Sequence, residues 1–175
     1  NILGLSLEGQ GLLQLAADAY QDALKINPAI PELQFNLGAM LYALNLWDKA
    51  IYHYQKATAL NPNFTEAFFN LGITYQSQGN FIKAIESYER TLMIQPGVYE
   101  AIGNIGTIMQ LQGNLDTAIE YFERALKIHQ DARGHYNLAG ALRNQGNLVL
   151  AIDHYKKAIE KGAHEPEFYS DLGDA

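Results

Sequence analysis

Residues 65–98 read TEAFFNLGITYQSQGNFIKAIESYERTLMIQPGV, and this stretch decides the fold because the chain repeats its punctuation. Asn27-Pro28 and Asn61-Pro62 stand 34 residues apart, and Gln95-Pro96 follows after another 34. Asn36-Leu37-Gly38, Asn70-Leu71-Gly72 and Asn104-Ile105-Gly106 keep the same period, as do Ala16, Ala50, Ala84 and Ala118. Ala151 arrives after 33, so one residue is missing between Gly113 and Gly146. The short connection Gln130-Asp131-Ala132, where Gln130 replaces the expected proline, is the natural place for that loss.

Each period reads as two helices. Phe68, Leu71, Gly72 and Tyr75 fall at i, i+3, i+4 and i+7 on one face. Ala84, Tyr88 and Thr91 form the matching face of a second helix, as do Ala50, Tyr54 and Ala57 one period earlier. Small residues at Gly72 and Ala84 allow the helices to approach, with Tyr88 filling the space beside them. Between the helices stands Gly11, Gly79, Gly113 or Gly146, suited to the left-handed conformation that ends a helix, with Asn45 in that place once. Asn80, Asn114 and Asn147 follow as expected caps for the next helix. Proline after the second helix stops it.

Leu-Gly in a first helix, then Ala, Tyr or Phe, Ala and Pro in a second, at a 34-residue period, resembles the tetratricopeptide repeat family. The resemblance spans the chain and implies an all-α, right-handed superhelical solenoid of antiparallel helix pairs. It divides residues 1–175 as a single array: a partial repeat 1–30, then 31–64, 65–98, 99–131 and 132–165, and a partial 166–175. Ten or more helices and no strands are expected. One hairpin cannot bury its apolar face alone, so stability comes from stacking. Phe168, Tyr169 and Leu172 then belong to an unpaired last helix, expected to be a sticky end for self-association. The chain reads as an excerpt of a longer array, or as one whose end packs on another molecule.

Composition narrows the function. The 175 residues are 48% hydrophobic and 18% charged, which is globular. No cysteine is present, which removes disulfides and thiolate chemistry and is in keeping with a reducing, cytoplasmic compartment. A formal net charge of −7 argues against nucleic acid as partner, since such binding displaces counterions with cations. No apolar run reaches the roughly 18–20 residues of a membrane span. No phosphate loop, nucleophile elbow or zinc-binding helix motif occurs, so no cofactor, metal or catalytic residue is expected. His53 and His154 occupy matching second-helix positions beside Tyr54 and Tyr155, where partly exposed surface residues are expected. His135 and His164 lie near repeat boundaries, with no second histidine at ligand spacing.

What remains is the inner wall that the resemblance assigns to the first helices. Its sixth positions carry Asn36, Asn70, Asn104 and Asn137, then Asp171. A primary amide both donates and accepts, so such a row suits a peptide backbone whatever its side chains. The row is similar to the asparagine ladder in the tetratricopeptide arm of O-linked N-acetylglucosamine transferases; the alternative is a bond to the neighbouring helix. The second positions carry Glu32, Glu66, Glu100, Arg133 and Glu167, where relatives that clamp the carboxylate tails of chaperones place lysines, so that mode is rejected. The fifth positions carry Phe35, Phe69, Gly103, Tyr136 and Ser170. Phe69 and Tyr136 then form the walls, and Gly103 the floor, of a notch with Gln76, Gln110 and Arg143 along one rim. The expected function is a protein-interaction scaffold binding an extended peptide or partner helix in its concave groove. The alternatives are the substrate arm of a larger glycosyltransferase-like enzyme and a self-assembly module.

Overall fold

A computed structural model describes residues 2–162, with side chains from residue 11 to residue 162, and every element among them is an α-helix. In chain order they are α1 (Ile2–Ile26), α2 (Pro31–Ala43), α3 (Trp47–Leu60), α4 (Thr65–Ser77), α5 (Phe81–Ile94), α6 (Tyr99–Leu111), α7 (Leu115–Ile128), α8 (Ala132–Gln145) and α9 (Leu148–Glu160). The chain divides into two compact units at Ile94/Gln95. In the first, α2 pairs with α3 and α4 with α5, while α1 packs on α2 and α3 on α4. In the second, α6 pairs with α7, α8 with α9, and α7 packs on α8.

The expected close approach within a pair holds. A methyl group added to Gly72 would sit 2.6 Å from Tyr88 Cε1, one on Gly38 2.8 Å from Tyr54 Cε1, and one on Gly106 2.8 Å from Phe122 Cε1. Ala50, Ala84 and Ala118 on the partner helices are completely buried, as is Ala151 of α9. Interior packing is crystal-like in density, so glycine on one helix is what permits a ring on its partner.

The helix-ending positions also behave as their residue types require. Gly79, Gly113 and Gly146 have φ of 73°, 79° and 90°, and Asn45 takes the same conformation at 59°. At the first of these, Gly79 N–H donates to the Gln76 carbonyl and Asn80 N–H to that of Tyr75, both at 2.9 Å, satisfying carbonyls that the helix leaves open.

Three expectations fail. Gly11 does not break a helix: α1 runs through it for 25 residues. It lacks the asparagine that follows the other turn glycines, and Leu12-Leu13-Gln14-Leu15-Ala16-Ala17 carries the helix onward with strong helix formers. Nine helices stand among the described residues; the expected last helix, with Phe168, Tyr169 and Leu172, lies outside them, so the expected count of ten or more is not tested there. Second, of Asn80, Asn114 and Asn147 only Asn80 caps with its side chain, accepting from Lys83 N–H at 3.3 Å. Asn114 and Asn147 make no such bond, and accept the first helical hydrogen bond only through their backbone carbonyls. Third, His135 does have a second histidine beside it, as described below. The missing residue is indeed lost from the α7–α8 connection, which is His129-Gln130-Asp131 where the others have four residues.

Adjacent repeats within each unit are tied by a recurring link. Gln78 donates to Asp48 at 2.7 Å, and Gln145 donates to Asp116 at the same repeat positions. Gln55 adds a bond to the Tyr75 hydroxyl at 2.9 Å.

Candidate functional site

The fifth position of each repeat faces the large residue at the twenty-fourth. Phe35 lies 5.8 Å from Tyr54 and 5.0 Å from Phe64, Phe69 lies 5.8 Å from Tyr88, and Tyr136 lies 5.6 Å from Tyr155, centroid to centroid. These rings are half-buried and partnered within their own repeats. At Gly103 the ring is absent, but its partner Phe122 remains, 1% exposed. A Cβ on Gly103 would meet nothing within 4 Å.

The space so left is the floor of a pocket of about 210 Å³ that lies wholly within the second unit. Phe122 and Ala125 of α7 form its base. Glu100, Gly103 and Asn104 of α6 and Arg133, Gly134 and Asn137 of α8 also line it. Tyr99 and His129 close one end, their rings 4.5 Å apart and 31° from parallel. Burial, then the Glu100 carboxylate, pushes the Tyr99 phenol above its ordinary pKa, so it stays a neutral donor. Asp131 belongs to the rim, and its carboxylate accepts from Gly134 N–H at 2.7 Å, capping α8.

Of the residues singled out from sequence, Gly103, Asn104 and Asn137 meet here. Tyr136 follows on α8 but is not in the lining; Gln110 and Arg143 lie further along α6 and α8. Phe35, Asn36, Phe69, Asn70 and Gln76 belong to the first unit. There Gln76 accepts from the Tyr88 hydroxyl at 2.8 Å. The four asparagines are all half-buried. Tyr99, Phe122, His129 and Asp131 were not anticipated. The available signal was aromatic rings at both the first and thirty-first positions of one repeat, where the two preceding repeats carry Pro31 with Asn61 and Thr65 with Gln95.

A second polar feature joins the fourth and twenty-third positions. His53 Nδ1 lies 2.7 Å from Gln34 Oε1, so that nitrogen carries the proton and donates. His135 and His154 repeat the arrangement with Nδ1 atoms 3.0 Å apart. His135 is 5% exposed and its Nε2 is buried without a hydrogen-bond partner. A bare lone pair is cheaper to bury than an unmet N–H, which places the proton on His135 Nδ1, donating to His154. Burial lowers the pKa of all three histidines, and for His135 the His154 ring and then Lys161 and Lys157 add to it. No group of three potential metal ligands occurs among the described residues. No helix among them is long and apolar enough to cross a membrane.

Comparison with known proteins bears on the repeat itself. Family models described as TPR repeat and tetratricopeptide repeat match residues 38–79, 65–97 and 98–164. A crystal structure of MamA superposes with a TM-score of 0.80 at 26% identity, covering 88% of this chain and 91% of that one. TTC0263, a thermophilic TPR protein from Thermus thermophilus, gives 0.73 at 21% identity over 98% and 94% of the two chains. YrrB, described as a TPR protein with an unusual peptide-binding site, gives 0.74 at 21% identity over 91% and 82%. No curated protein sequence matches.

Proposed function

We propose that this chain, which carries tetratricopeptide repeats from residue 38 to residue 164, is a protein-interaction scaffold, and that the α6–α8 face of its second unit holds an extended segment of a partner protein. The observation that carries this reading is the open pocket at Gly103, with Asn104 of α6 and Asn137 of α8 both in its lining. A primary amide carries both donors and an acceptor, the chemistry that complements a peptide backbone. Phe122 and Ala125 beneath them supply apolar surface, and binding sites combine a largely apolar concavity with a few placed polar groups. The helical repeats favour interaction over catalysis.

The test is selection of peptides from a random display library on the purified chain, followed by affinity measurement with Asn104→Ala/Asn137→Ala. Selected peptides are expected to lose about tenfold or more in affinity, about 1.4 kcal/mol, when both amides are removed. Peptides that bind the double variant as tightly as the parent would refute this face as the site.

A further inference from the structure

We infer that the Gly103 pocket is a socket for one aromatic side chain of the bound segment. This rests on the scaffold reading and names the group that the site takes. The chain itself shows what fits. Phe35 and Phe69, at the equivalent position of the two preceding repeats, each set a benzyl group against the large residue of the second helix at 5.8 Å. The third repeat keeps that second-helix ring, Phe122, and removes the first-helix one, since Gly103 has no side chain and open space beyond it. A ring supplied by a partner would occupy the place that Phe35 and Phe69 occupy in their own repeats.

Size and surroundings agree. A cavity of about 150 Å³ admits benzene, and this pocket measures about 210 Å³. The ring entering it meets Phe122 below and the Tyr99–His129 pair at the end, and tilted or edge contacts with such rings are favourable. Asn104 and Asn137 stand where the backbone carrying the ring would pass. The rim has two carboxylates, Glu100 and Asp131, against one guanidinium, Arg133, on a chain of net charge −7. The segment bearing the aromatic residue is therefore free of flanking acidic residues.

Two measurements test this separately from the scaffold reading. The first titrates N-acetyl-phenylalanine amide into the protein and follows backbone amide resonances. Saturable shifts are expected at residues 99–104, 122–125 and 133–137, and at none of these in Gly103→Phe, which fills the socket with the residue of the sibling repeats. Gly140→Ala is the control and keeps the shifts, because its added methyl makes only ordinary contacts. The second takes peptides selected on the parent protein and replaces their aromatic residue by alanine, with an expected loss of about thirtyfold or more. Gly103→Phe should lose the parent peptides to the same extent while remaining folded. Selected peptides that lack an aromatic residue and still bind Gly103→Phe would overturn the socket and leave the scaffold reading standing. A probe that saturates at these residues while no peptide is ever selected would uphold the socket and overturn the scaffold reading. Shifts that persist in Gly103→Phe overturn the socket outright.

Discussion

Two glycines in equivalent-looking first helices should respond oppositely to the same methyl group. In Gly72→Ala the new Cβ lands 2.6 Å from Tyr88 Cε1 and 2.7 Å from Cδ1, inside a pair where Tyr88 is fully buried. The ring cannot swing away, since its hydroxyl is held by Gln76 at 2.8 Å and Ala84 is packed beside it. Overpacking of this kind costs about 1–3 kcal/mol. Alanine returns about 0.5–1 kcal/mol by restricting the unfolded chain and favouring the helix. The net expectation is a loss of about 1–2 kcal/mol. The fourth repeat sets a ceiling on the cost: it carries Ala139 at this position with Tyr155 still buried, and Gly140 next in chain stands 3.9 Å from the Tyr155 hydroxyl when given a Cβ. A methyl is thus tolerated where the pair is built around it, and Gly72→Ala should shift the pair, not unfold it. Gly103→Ala meets nothing within 4 Å and keeps only the helix gain, about 0.5–1 kcal/mol of stabilisation. The two variants should therefore differ by about 2 kcal/mol. In urea, with a slope of about 2 kcal/mol per molar, their midpoints by circular dichroism separate by about 1 M, one on either side of the parent. A Gly72→Ala midpoint at or above the parent, or a Gly103→Ala midpoint below it, refutes the packing account of these glycines.

Acid should weaken the protein through its buried His135 and half-buried His53 and His154. The folded state holds His135, His154 and His53 below the ordinary value of 6.5, so the unfolded chain binds protons first. Stability is then flat above that value and falls as the pH drops below it, by up to about 1.4 kcal/mol per unit for one histidine. Thermal melts from pH 8 to 5 check the sign, and His135→Gln, which copies the Gln34–His53 arrangement, should flatten the decline; a rising melting temperature on acidification contradicts it. Asp131→Ala removes the side-chain bond to Gly134 N–H and should cost about 1 kcal/mol in a chemical denaturation curve. Gly146→Ala has room for its methyl but a φ of 90°, so a loss of about 1 kcal/mol there measures backbone strain alone, and no loss would show that the turn relaxes.

The 34-residue register was legible because glycine, proline and tyrosine act through short-range rules. A left-handed turn at Gly79 or a ring over Gly72 needs nothing beyond one hairpin. Gly11 shows where that reasoning stops: a glycine terminates a helix only when its neighbours also favour ending it, and Leu12-Leu13 after it do not. The His135–His154 contact was hidden for a different reason. Its partners stand 19 residues apart and meet only through hairpin geometry, yet Gln34 and His53 have the same spacing, so the repeat register could have found both. The pocket is the hardest case, because it is made by subtraction. The sequence marks Gly103 as the floor of a notch, but not the rings of Phe122, Tyr99 and His129 around the space. Gly103 in isolation is a weak helix residue, and it becomes a cavity only because Phe122 keeps the size of a residue that expects a ring opposite. Tyr99 and His129 become a wall only because they fall at the first and thirty-first positions of the same repeat. In a repeat protein the sibling repeats supply the reference against which a missing side chain is visible. A departure from that reference that costs helix stability and opens space is where a binding function is to be sought.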